Sequence, residues 1–144
     1  TIRRTFKECV FNGRGPFKGF FGKDLEVMVS GVEALKQWTG KVNATIVYDS
    51  KKDGFTDDGL FKMVKGKKNM AMITTTTEGD VFGGFYNVAV TKQDETINDP
   101  NIFAFSFEWH RRCKTPQRFV VREKLREEAD VQFVKSEEFM ICLA

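Results

Sequence analysis

The chain is poor in the residues that most often carry chemistry. His110 is the only histidine, and the three cysteines, Cys9, Cys113 and Cys142, are widely spaced with no C-x-x-C pattern. A protein zinc site needs three or four ligands; His110 with Cys113 supplies two locally, so no metal is implied. An odd set of scattered thiols excludes a disulfide framework and favours a reduced, intracellular setting, cytoplasm or nucleus. No apolar run approaches the ~18 residues of a membrane helix, and no internal repeat or low-complexity tract appears. Gly13-Arg14-Gly15 followed by Gly19 misses both G-x-G-x-x-G and the P-loop. The formal net charge of +3 is too small by itself to predict nucleic-acid binding. The chain opens on Thr1 with no signal-peptide pattern, which reads as a piece cut from a longer protein.

Phenylalanine, by contrast, is abundant. Fifteen stand among 144 residues, and each one buried contributes about 1.5–3 kcal/mol, so aromatic packing is expected to dominate stability. Phe103, Phe105, Phe107 and Trp109 alternate with Ala104, Ser106 and Glu108, which predicts a strand with an aromatic face. Gly83-Gly84 lie inside the strand-like run Val81 to Tyr86. Glycine there weakens a strand, so a bulge or a close backbone approach is expected. Phe82, Phe85, Phe103, Phe105, Phe107 and Trp38 are the predicted core.

Residues 1–23 read as a basic arm rich in Gly and Phe, and 24–144 as one domain. Leu25, Met28, Val29, Val32, Leu35 and Trp38 recur at helical spacing and Gly40 is a natural stop, so a helix is predicted over 24–38. Gly31 inside it implies close packing. Strands are predicted over 43–48, 70–77, 81–91, 103–109, 117–122, 130–134 and 139–143, with a second helix over 57–65. The fold class is α+β, most simply a two-layer antiparallel β-sandwich flanked by short helices.

Four constellations resemble chemistry. Asp49 to Gly54 begins like a calcium loop but has Lys51 at position 3 and Leu60 at position 12, where ligands are needed; an Asp-Gly turn explains it. Glu127-Glu128 and Glu137-Glu138 are adjacent acids, which strands turn to opposite faces. His110 and Cys113 could form a nucleophilic pair, but no third group orients them. Cys113 is nonetheless the candidate reactive thiol, because Arg111, Arg112 and Lys114 favour its thiolate, while Cys9 and Cys142 stand beside apolar residues. The last is a basic run, Arg111, Arg112, Lys114, Arg118, Arg122, Lys124 and Arg126 against Glu123, with Arg118, Val120 and Arg122 on one strand face opposite Phe119 and Val121. It is a candidate surface for phosphates or an acidic protein partner. Together these features predict a binding module, with no catalytic residues and no cofactor. The alternative is a DNA-binding regulator using 111–126, with a nucleotide cofactor by Gly83-Gly84 as a further option.

In order along the chain stand Trp38-Thr39-Gly40, Ile46 to Ser50 with Asp53-Gly54, Leu60-Phe61, Gly66 to Asn69, Val81 to Phe85, Ala104 to Phe107 and Pro116 to Phe119. This series resembles the TLDc domain of the oxidation-resistance proteins over roughly residues 25–143, and its details look like a divergent protist branch. The resemblance implies a compact β-sandwich flanked by helices, protection against oxidative stress and, in several members, binding to the vacuolar proton pump. It carries no agreed catalytic residues and no role for the loop at His110 to Lys114. The family usually continues past a strand like Phe139 to Leu143 into a glycine-rich segment and final strands, which do not follow here.

Overall fold

A computed structural model of the chain describes residues 22–54, 56–109, 115–133 and 141–143. It is a mixed α+β structure. Helix α1 (Gly22–Thr39) is followed by the short α2 (Ser50–Asp53) and by α3 (Asp57–Val64). Strands β1 (Met70–Thr75), β2 (Val81–Tyr86), β4 (Phe103–Glu108) and β5 (Gln117–Val120) form an antiparallel sheet in the order β1-β2-β4-β5. Strands β3 (Ile97–Asn98), β6 (Asp130–Phe133) and β7 (Ile141–Leu143) form a second sheet in that order. Its pairings are antiparallel, with Ile97 opposite Val131 and Phe133 opposite Ile141. Cys142, opposite Gln132, lies in β7.

The chain gathers into two compact units. One comprises Thr1–Ile46, Thr74–Phe82 and Ser106–Gln117; the other comprises Val47–Ile73, Gly83–Phe105 and Arg118–Ala144. In the first, α1 forms where periodicity places it, burying Met28, Gly31, Val32 and Leu35 along one stripe. Gly40 ends it at φ +69°, its N–H bonded to the Lys36 carbonyl at 2.9 Å. Gly31 explains itself: a Cβ there would lie 2.1 Å from the Phe107 ring. Trp38 is half-buried rather than core, because it extends the stripe into the last turn.

In the second unit, α3 contributes Leu60 and Val64 to a core with Tyr86, Val90, Ile102, Ala129, Val131 and Phe133. Thr56 caps α3 by accepting the Gly59 N–H at 3.1 Å. Phe133 meets Tyr86 edge-on at 5.9 Å between ring centroids and Phe61 at 5.5 Å. Phe85 stacks on Phe103 at 5.2 Å. Gly83 answers the expectation of close backbone approach, since a Cβ there would stand 1.8 Å from the Met72 carbonyl oxygen and 2.8 Å from the Phe105 ring. Gly83→Ala should therefore destabilise the fold by about 1–3 kcal/mol, the usual cost of overpacking, in a denaturant titration.

Further expectations need correction. Phe82 is 46% exposed. It stands three residues from Phe85, so a strand turns the two to opposite faces; both faces are covered at Phe85 and Tyr86 but not at Phe82. Trp109, 57% exposed, lies beyond the end of β4, while Phe103, Phe105 and Phe107 are buried as predicted. Asn43 to Tyr48 forms no strand. Its alternation finds no ladder partner among the described residues, and Val42 and Ile46 remain exposed.

Candidate functional site

The calcium-like run is a capped turn. Asp49 accepts the Lys51 N–H at 3.0 Å, and the Asp53 carboxylate accepts the Asp49 N–H at 2.7 Å. The Tyr48 hydroxyl donates to the Gly54 carbonyl. Both acids are thus committed to local backbone, an arrangement that needs no ion.

Among the described residues, Asp99 gathers several hydrogen bonds at once. It is 1% exposed, and its carboxylate accepts the backbone N–H groups of Asn87, Val88 and Asn101 and the Asn87 side-chain amide. Its own N–H donates to the Ala129 carbonyl at 2.9 Å. Beside it, Asn98 Nδ2 donates to the carbonyls of Glu127 and Ala129 at 2.9 and 2.8 Å. Asn98-Asp99-Pro100 reads in the sequence as no more than part of a polar loop, because most partners of Asp99 are distant in the chain. With its oxygens occupied by the N–H groups of Asn87, Val88 and Asn101 and by the Asn87 amide, Asp99 is structural.

Tyr86 is fully buried, and its hydroxyl has no hydrogen-bond partner among the described residues. Burial pushes the phenol well above its ordinary range, because the charged form cannot be solvated there. The Tyr86 hydroxyl points to no chemistry beyond a packing cost. Tyr86→Phe should raise stability at neutral pH by about 1 kcal/mol, the low end for an unmade buried bond. Above pH ~10, the unfolded phenol loses its proton while the folded one retains it. The tyrosine-dependent part of stability is therefore complete below that pH and declines above it. Urea titrations at pH 8 and pH 11 should show the variant's advantage growing.

The basic run is the remaining candidate. Arg111, Arg112, Lys114, Cys113 and His110 lie outside the described residues, as do Glu137-Glu138, Cys9 and the arm at 1–21. Arg118 lies in β5, Arg122 precedes a 3₁₀ turn at Glu123–Leu125, Lys124 lies within that turn and Arg126 ends it. All four are exposed. β5 stops at Val120, so Arg122 does not share a strand face with Arg118. The Arg118 guanidinium instead sits over the Phe103 ring, 5.8 Å from its centroid, a contact worth about 0.5–1 kcal/mol where exposed. Phe119 and Val120 are each 56% exposed, while Val121 is half-buried against the core. Glu127 and Glu128 are exposed in the turn after the 3₁₀ segment, as expected of a charged turn between two strands.

Among the described residues no three or more His, Cys, Asp or Glu side chains group to hold a metal, and no helix is long and apolar enough to cross a membrane. The family model for the TLDc domain matches residues 27–141, most of the chain. The chain belongs to the TLDc-domain family. No curated protein and no solved structure matched it. In this TLDc domain the matched span runs from α1 to the first residue of β7, so the glycines at 31 and 83, the Asp99 hub and the basic run all fall inside it.

Proposed function

We propose that this TLDc domain is a non-enzymatic protein-interaction module whose role is protection against oxidative stress through a protein partner, with the vacuolar proton pump as the partner that family resemblance implies. The family match over 27–141 carries this reading. The acids of the calcium-like run support it, since Asp49 and Asp53 are engaged with backbone amides, as is the buried Asp99. The accompanying fold reading stacks the two sheets as a sandwich. Purified proton pump incubated with the domain should retain it through size-exclusion chromatography, and cells expressing the domain should survive peroxide better. Separate elution would remove the pump from this reading, and turnover of a small molecule by the purified domain would replace it with an enzymatic one.

The exposed cations Arg118, Arg122, Lys124 and Arg126 favour a second reading, a DNA-binding regulator, with a nucleotide cofactor as its possible modulator. Its mark would be a gel shift that weakens steeply with salt, as counterion release requires, and that Arg118→Glu with Arg122→Glu abolishes.

A further inference from the structure

The hairpin of β1 and β2 turns on a run of threonines, Thr74-Thr75-Thr76-Thr77, followed by Glu78-Gly79-Asp80. Thr76 fastens the turn. Its N–H donates to the Asp80 carbonyl at 2.9 Å, its carbonyl accepts the Gly79 N–H at 3.1 Å, and its hydroxyl accepts the Asp80 N–H at 3.0 Å. Gly79 takes the left-handed conformation such a turn requires, at φ +92°. Thr77 and Glu78 are left at the apex, both exposed. The Thr77 hydroxyl makes no hydrogen bond among the described residues.

Charge decides what can use that hydroxyl. Residues 69–91 carry Glu78 and Asp80 and no Lys, Arg or His. An enzyme that meets this hairpin meets negative charge alone, which favours a cationic substrate cleft and repels an acidic one. Glu78 stands exposed directly after Thr77, whereas Asp80 is only 9% exposed, so Glu78 is the acid within reach. Sequence alone offers Thr56 as an equal, since Asp57 and Asp58 follow it. The Thr56 hydroxyl, however, caps α3 by accepting the Gly59 N–H, at a spot so close that a Cβ on Gly59 would stand 2.8 Å from it. Its oxygen is committed where that of Thr77 is free.

We infer that Thr77 is a phosphorylation site, the acceptor for a serine/threonine kinase that selects acidic residues after the hydroxyl. In the transfer, Thr77 Oγ1 bonds to the γ-phosphorus of ATP as the bond from that phosphorus to the bridging oxygen breaks. ADP departs, and the hydroxyl proton passes to the kinase's base. The product places a charge of about −1.5 to −2 at pH 7 beside Glu78, with no cation in residues 69–91 to pair it. Like-charge repulsion then loosens the turn, so the phosphate acts as a switch on the order of this hairpin tip. The site goes beyond the interaction-module reading and does not depend on which partner that module binds.

The test incubates the folded chain with a purified kinase of the casein-kinase type, Mg²⁺ and ATP, and locates the phosphate by mass spectrometry. A Ser136→Ala background removes a competing acceptor, since Glu137 and Glu138 follow Ser136. Phosphate should appear on Thr77 ahead of Thr56. Thr77→Val should remove that label and leave the circular dichroism of the chain unchanged. Glu78→Lys should slow labelling of Thr77 about tenfold, as charge reversal at the contact requires. A kinase that selects arginine before the hydroxyl should leave Thr77 unlabelled. In the phosphorylated chain, amide hydrogen exchange at Gly79 and Asp80, donors within the turn, should quicken about threefold or more. Absence of phosphate from Thr77, labelling of Thr77 only in urea, or an unchanged rate in Glu78→Lys would each overturn the site. Unaltered exchange at residues 79 and 80 would overturn the switch. A chain that is labelled at Thr77 but binds no pump keeps this site and loses the proposed function; one that binds pump and resists the kinase does the reverse.

Discussion

Phe105→Ala should lower the unfolding free energy by about 3–5 kcal/mol, the range for removing a buried phenylalanine when the cavity cannot collapse. Phe105 is 2% exposed, its ring lies 6.3 Å from that of Phe103, and its tip covers Gly83. Collapse is resisted there because Gly83 has no side chain to move into the void. Its backbone is already held against the Met72 carbonyl. Urea titration followed by circular dichroism measures the loss. A cost under 1 kcal/mol would show that the aromatic face of β4 is not the structural centre that the burial of Phe103, Phe105 and Phe107 indicates.

Asp99→Ala should be nearly as damaging, at about 3–4 kcal/mol, because hydrogen bonds to a charged group contribute about 1.5–3 kcal/mol each and several are lost together. The backbone N–H groups of Asn87, Val88 and Asn101 would lose their acceptor. Asp99→Asn keeps one acceptor oxygen and should recover part of the loss. An alanine variant as stable as the parent would mean that water replaces the carboxylate at little cost. Amide hydrogen exchange at residues 87, 88 and 101 reports this locally, with faster exchange expected in the alanine variant.

The parts of the fold legible in the sequence were those set by local periodicity. The stripe from Leu25 to Trp38 with Gly40 behind it defined α1, and the alternation at Phe103, Phe105 and Phe107 defined the buried face of β4. Gly31 and Gly83 were legible as tight-packing positions, though not their partners, since Phe107 and Met72 meet them only through tertiary structure. What escaped was decided by neighbours. Asn43 to Tyr48 alternates but gains no ladder, and Phe82 has strand character at the less covered end of β2. The two-residue β3 was hidden in a polar loop, and its position depends on Val131 and Asp130 opposite. In the candidate surface, alternation set Arg118 opposite Phe119 but could not tell that β5 would be an edge. That is a property of strand order.

The paired fastening at Asn98 and Asp99 also has a kinetic side. Asn98 reaches carbonyls 29 and 31 residues further along the chain, and Ile97 pairs with Val131. The β1–β2 hairpin closes across a turn of a few residues. Joining distant segments carries a loop-closure entropy that a hairpin largely avoids. The hairpin and α1 are therefore expected to order early, and β3 to meet β6 late. β4 and β5 lie within the loop that this late event closes. Until Asn98 and Asp99 engage, a nascent chain holds an aromatic strand and an unpaired edge in one long, unclosed segment, the interval in which it is most exposed to chaperones and to aggregation.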